Sequence, residues 1–191
     1  DALAERLLSR SGWWYRDQEH DWKYQRSQRY EEVALARYAE KLRARSPRPD
    51  KRRERRDRAL RKTVVVGGEH FRVAKVGLLV AADFPYLGAS PDGVVFDGDD
   101  RPVRLIEVKS FAAEVYPGTQ IWAQVQGSMA IASSSFGEPV HRCAVLTSEE
   151  LFNIRFDAGW WNRNFPRLRD FYFEKFLPFA SRHILARLSG S

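Results

Sequence analysis

The run Val94-Val95-Phe96-Asp97-Gly98-Asp99-Asp100, followed by a second apolar and β-branched run from Val103 to Lys109, constrains the fold more than any other part of this chain. Acidic and glycine turn formers between two strand-forming runs specify a β-hairpin. The hairpin in turn dictates which residues meet. A turn centred between Asp99 and Asp100 sets Asp92 opposite Glu107. Side chains alternate along a strand, so Glu107 and Lys109 share one face while Val108 points into the other layer. Two carboxylates and one amine therefore converge on a single patch.

The other elements supply layers around that hairpin. Ala2 to Leu8 reads as a short helix and Gly12 to Tyr15 as a turn with an aromatic cluster. About Asp21 to Ala44 reads as one long amphipathic helix, because Tyr30, Ala34, Tyr38 and Leu42 recur every four residues with Leu35 and Ala39 beside them. Thr63 to Val66, Phe71 to Ala74 and Val76 to Val80 are short strand patterns punctuated by Gly67, Gly68 and Gly77. Pro117-Gly118-Thr119 offers a break and an N-cap, after which Ile121, Val125 and Met129 form a one-sided stripe to about Ala132. Val140 to Leu146 and Phe152 to Phe156 read as two more strands, the second turning Phe152, Ile154 and Phe156 inward. Trp160 to Leu188 reads as helical, interrupted at Pro166 and Pro178. This order of elements predicts a single α/β (α+β) domain over residues 1–191, with a central mixed sheet at 63–156 flanked by helices.

Charge is distributed unevenly. The chain of 191 residues carries 32 Lys+Arg against 25 Asp+Glu, a net charge of +7. Residues 43–62 hold eleven of the basic residues and three acidic ones, so this segment alone carries +8 and the rest of the chain about −1. The segment reads either as a solvated insertion or as an arm for a phosphate backbone, with Arg52, Arg53, Arg55 and Arg56 as its candidate contacts. An apolar fraction of 43% supports a real core and excludes wholesale disorder. One cysteine, Cys143, excludes an internal disulfide, a multi-cysteine zinc site and an iron–sulfur cluster, and fits a reducing, intracellular setting. The apolar run from Val76 to Ala82 is far shorter than a membrane span. Because the chain starts at Asp1 and its sole methionine is Met129, it is expected to be a piece or a processed form of a longer product.

Ionised carboxylates held together repel one another, and a cation between them relieves the repulsion. Oxygen-only ligands favour a hard ion such as Mg²⁺ or Mn²⁺, which can activate water and offset charge on a phosphate under attack. Lys109 beside such a site would orient the attacking water or stabilise transition-state charge. Singly, an Asp-Gly after Pro is a turn and a Glu-x-Lys is a solvent-facing charge pair. Together, at mirrored hairpin positions and followed by a glutamine-bearing helix, they point to chemistry.

Three blocks in order, Leu87-Gly88-Ala89-Ser90-Pro91-Asp92-Gly93, Ile106-Glu107-Val108-Lys109-Ser110 and Gln124-Val125-Gln126-Gly127-Ser128-Met129, resemble the lambda exonuclease or YqaJ-type viral recombinase family of the PD-(D/E)XK nuclease superfamily. The resemblance covers about Tyr30 to Phe156. It implies a restriction-endonuclease-like core, with Asp92, Glu107 and the main-chain carbonyl of Val108 as metal ligands and Lys109 as the catalytic lysine. It further implies that Gln124 and Gln126 close the site, and that Glu31, with Ala34 and Tyr38, belongs to an upstream helix that faces the metal. Ser90 would lie against the nucleic acid. The family's 5′-phosphate-binding segment has no counterpart here, and Arg26 and Arg29 are the candidates to replace it. The resemblance also implies linear duplex DNA as substrate, a role in recombination or end resection beside a single-strand annealing protein, and assembly as a homo-oligomer.

Two other readings compete with a DNA exonuclease. One is a non-catalytic nucleic-acid-binding or assembly module dominated by residues 43–62; the other is an RNA-cleaving endonuclease, since metal chemistry at phosphorus does not select the sugar.

Overall fold

In the structure, a computed structural model that describes residues 21–44, 63–66 and 69–182, the hairpin forms the middle of a six-stranded sheet. Helix α1 spans Asp21–Ala44 and is followed by strands β1 (Thr63–Val66), β2 (Glu69–Ala74), β3 (Leu79–Val80), β4 (Gly88–Ala89), β5 (Gly93–Phe96) and β6 (Pro102–Val108). Helix α2 (Gln120–Phe136), strands β7 (Arg142–Leu146) and β8 (Leu151–Arg155) and helix α3 (Ala158–Phe171) complete the order, with a π-helical turn at Tyr172–Phe176. The large sheet runs β1-β2-β5-β6-β7-β8, while β3 and β4 pair separately. All neighbours in the large sheet are antiparallel except β6 and β7. The connection between that parallel pair is α2, the crossover that parallel strands require. The chain thus builds the mixed sheet with flanking helices expected from its sequence.

Residues Arg26–Phe156 form one compact unit. On one face of its sheet, Val73, Val95, Ile106, Val108 and Ala144 pack with Leu35 and Tyr38 of α1, which is the stripe read from the sequence. The opposite face buries Val94, Leu105, Cys143 and Val145, and α2 buries Trp122, Val125 and Met129. Thr119 caps α2, its hydroxyl accepting from the N–H of Trp122, and Gly137 ends it at a left-handed φ of 69°. A second unit holds residues 157–182. In it, the Asp157 carboxylate accepts from the N–H of Trp160 at the start of α3.

The hairpin register carries a detail that the turn sequence does not show. The loop closes between Asp97 and Arg101, with Asp100 at a left-handed φ of 61° and the Asp97 carboxylate accepting from the N–H groups of Asp99 and Arg101. That places Phe96 opposite Pro102, but the next pair is Val95 with Arg104, so one extra residue bulges out of β6. Because of that bulge, Gly93 pairs with Ile106. Asp92 and Glu107 are the next positions outward, as the sequence predicts; without the bulge Asp92 would align with Ile106.

Three expectations change. The strand expected over Val76 to Val80 shrinks to Leu79–Val80, because the residues before it carry no ladder and Gly77 is exposed. Pro166 does not interrupt the C-terminal helix: it lies exposed inside α3, which continues past the one i→i−4 hydrogen bond that proline removes. The helix continues through the π turn to residue 182, past Pro178. The expected elements at Ala2 to Leu8 and Gly12 to Tyr15, and most of the basic segment 43–62 with Arg52, Arg53, Arg55 and Arg56, lie outside the described residues. No helix among the described residues is long and apolar enough to cross a membrane.

A β-carbon at Gly93 would lie 2.9 Å from Cδ2 of Leu35, so this glycine lets α1 approach the hairpin. Gly93→Ala should cost about 1–2 kcal/mol through overpacking, and Leu35→Ala about 2–4 kcal/mol through a cavity. In the double variant the Gly93→Ala penalty should vanish, a coupling that urea unfolding midpoints measure directly.

Candidate metal-dependent active site

The site forms where β5 begins and β6 ends. Asp92 leads into β5, and its Oδ2 accepts the N–H of Val108 at 2.6 Å. The carboxylate thereby takes the place of the next ladder acceptor beside β6. The N–H of Lys109 turns the other way and donates to the carbonyl of Leu146 on β7. Within one extended residue the N–H and C=O project to the same side, so the carbonyl of Val108 also faces Asp92.

Glu107 is buried, 5% exposed, on the face covered by α2. Its Oε1 accepts from Lys109 Nζ at 2.7 Å and from Gln124 Nε2 at 2.8 Å. Lys109 Nζ also donates to Gln124 Oε1 at 3.2 Å, which closes a three-membered ring of hydrogen bonds. Both donors fall on the same oxygen. Glu107 Oε2 and Asp92 Oδ1 are thus left without a hydrogen bond from any described residue.

Glu31 enters from the other layer, on α1. Its Oε2 lies 3.6 Å from Lys75 Nζ, and its charge is felt at Asp92. Burial and then the charge of Glu107 push the Asp92 carboxyl up to about 6, Glu31 adds to the rise, and the Val108 hydrogen bond and Lys109 oppose it. An acid held in this way favours a proton or a cation over bare charge.

Other predicted residues separate from this cluster. Gln124 reaches Glu107, but Gln126, two positions on and about 200° around the helix, is fully buried and donates to the carbonyl of Arg155 at 2.9 Å. Gln126 ties α2 to the end of β8. Ser90 is exposed two residues before Asp92, and Arg29 is exposed on α1. Arg26 lies in α1 with its side chain outside the described residues. Cys143 is a core residue, its thiol pushed well above the usual range by burial. Asp83 braces the loop between β3 and β4 against α2, its Oδ2 accepting from the hydroxyl of Ser134 at 2.7 Å. Lys75, the partner of Glu31, carries no signal of its own in the sequence.

The donor set fits a hard divalent cation. One oxygen of each carboxylate has no hydrogen bond from a described residue, the Val108 carbonyl lies on the Asp92 side of β6, and burial followed by the charge of Glu107 raises the Asp92 pKa. Among the described residues no group of three or more His, Cys, Asp or Glu side chains is placed to hold a metal ion, so Glu31 does not join Asp92 and Glu107 in one ligand cluster and the candidate donors are two carboxylates and one carbonyl. An open site of this kind leaves coordination positions to water and substrate.

No protein-family model and no curated protein matches the chain. Among solved structures it is similar to an alkaline exonuclease (LHK-Exo) from Laribacter hongkongensis, with 20% identity over 72% of this chain and 68% of that one and a TM-score of 0.38. At that identity and TM-score the likeness carries no weight in assigning the site, which rests on its own geometry.

The Asp92 shift has a definite sign. Its folded value, about 6, lies above its unfolded value near 3.8, so ionised Asp92 destabilises the folded state. The penalty is absent below pH 4, grows through pH 6 and is complete above it. Allowing for solvent screening of this half-buried group, Asp92→Asn should stabilise the metal-free protein by about 1–2 kcal/mol at pH 8 and by nothing at pH 4. Chemical unfolding in the presence of chelator at both pH values measures the difference, and a destabilised variant at pH 8 contradicts it.

Proposed function

We propose that this protein is a divalent-metal-dependent nuclease that hydrolyses phosphodiester bonds of DNA, acting as an exonuclease on linear duplex ends. The observation that carries the reading is the convergence of Asp92, Glu107 and Lys109 at one end of the β5–β6 hairpin, with one oxygen of each carboxylate free of hydrogen bonds from described residues. A scaffold has no need of that set.

Asp92 Oδ1, Glu107 Oε2 and the carbonyl of Val108 would hold Mg²⁺ or Mn²⁺, with Glu31 adding negative charge from the opposite layer. When bound, such an ion supplies an activated water and positive charge against the phosphate. Lys109 holds its ammonium against Glu107, where it orients the attacking water or stabilises charge developing on the phosphoryl oxygens. Gln124 fixes that ammonium through its Oε1 and the Glu107 carboxylate through its Nε2, so neither side chain is free to rotate. Action on duplex ends, the recombination role, an annealing partner and a homo-oligomer follow from the motif resemblance in the sequence and form part of the same proposal, while the polarity of digestion is left to the assay below.

The decisive assay uses a linear duplex with and without a 5′ phosphate and a closed circle, each with Mg²⁺, Mn²⁺ or chelator. Linear DNA should be degraded only with metal, and the circle should survive. Lys109→Ala and Glu107→Ala should each lower the rate by about 10²–10⁴, and Gln124→Ala by about 10–100, as expected for a residue that orients a ligand. Mg²⁺ should also raise the thermal midpoint of the wild type but not of Asp92→Asn. A folded protein that binds DNA yet shows no metal-dependent cleavage would reduce the proposal to a binding module.

A further inference from the structure

We infer that Arg104, Arg142 and Arg155 form a second nucleic-acid site, a row of arginines across three adjacent strands that takes the phosphodiester backbone away from the site of cleavage. The sheet register makes the row. Leu105 is level with Cys143 across the parallel pair, which sets Arg104 beside Arg142, and Arg142 is paired with Arg155 on β8. All three side chains share the face that α1 covers, because Ile106 and Ala144, two positions further along β6 and β7, pack with Leu35 and Tyr38. Helix α1 reaches Arg104, whose Nη1 donates to the hydroxyl of Tyr38 at 2.7 Å and to Oδ1 of Asn153 at 3.3 Å. Arg142 and Arg155 are exposed.

Charge decides the reading. Like charges directly opposite each other on a sheet repel, and here three cations stand about 10 Å end to end, two strand spacings. Among the described residues none of the three forms an ion pair. The contrast lies in the same sheet: Arg72 on β2 is bonded to Asp100 at 2.7 Å and stacks over Phe96. Glu138 and Asp97 line the recess beside Arg142, yet neither pairs with it. Arg104 has only neutral partners, which fix its planar fork without cancelling its charge. Guanidinium groups of this kind suit phosphate, which accepts two parallel N–H bonds.

Arg104 is four residues from Val108, about 13 Å along the strand, and its side chain lies on the opposite face of the sheet from Glu107, so the row is a site separate from the place of cleavage. The inference rests on the nucleic-acid reading proposed above but not on its chemistry. Its test is therefore binding in chelator, where no cleavage occurs, by fluorescence anisotropy of a labelled 30-base-pair duplex titrated with salt. Arg142→Gln/Arg155→Gln should reduce the slope of log affinity against log salt by about 1.8, two phosphate contacts at about 0.9 each. Arg142→Lys/Arg155→Lys should retain most of the slope, and Arg72→Gln should leave it unchanged. The glutamine variant should unfold at the same denaturant concentration as the wild type or higher, since it relieves repulsion; a marked destabilisation would mark the row as structural and overturn the inference. So would an unchanged slope, even in a protein that cleaves DNA with Mg²⁺. A reduced slope in a protein without nuclease activity supports the arginine row while rejecting the proposed chemistry, and a wild type that binds no duplex rejects both.

Discussion

The hydrogen bond from the N–H of Val108 to the Asp92 carboxylate is the contact on which the site depends. It satisfies a donor at the end of a buried strand, where an unmet N–H would cost about 1–3 kcal/mol, and it brings a carboxylate to the mouth of the β5–β6 hairpin. The burial that strengthens this bond also raises the pKa of Asp92, against the pull of the N–H itself. The protein holds an acid in a place where its charged form is disfavoured unless a cation joins it. That tension sets the chemistry apart from the scaffold.

Both helical layers meet at this point. Gln124 reaches Glu107 from α2 and Glu31 bears on Asp92 from α1, so the sheet end is enclosed from two sides by elements distant in sequence. Their approach depends on packing: Leu35 sits against Gly93, and Ser134 and Asp83 tie α2 to the loop ahead of Asp92. A fault in either contact would move a functional side chain without touching it. In the proposed reading, the acidic end of the hairpin takes the metal and the arginine row further back along β6 takes phosphate.

The sequence by itself determined the elements that carry chemistry. The long helix of α1, the hairpin and the capped α2 are all set by local periodicity and turn formers, and the meeting of Asp92, Glu107 and Lys109 follows from alternation along two paired strands. The pairing was legible even though its route was not, since a five-residue loop and a bulge in β6 together restore the register that a symmetric turn suggests. What needed the tertiary structure was every relation between layers. Gln124 and Gln126 look alike in a motif, but helical rotation sends one to the carboxylate of Glu107 and the other to the carbonyl of Arg155. Arg104, Arg142 and Arg155 lie on three different strands; the parallel pairing of β6 with β7 and the antiparallel pairing of β7 with β8 together line them up. Short-range rules act within a few residues, whereas layer contacts and strand order come from packing that the whole chain must satisfy at once.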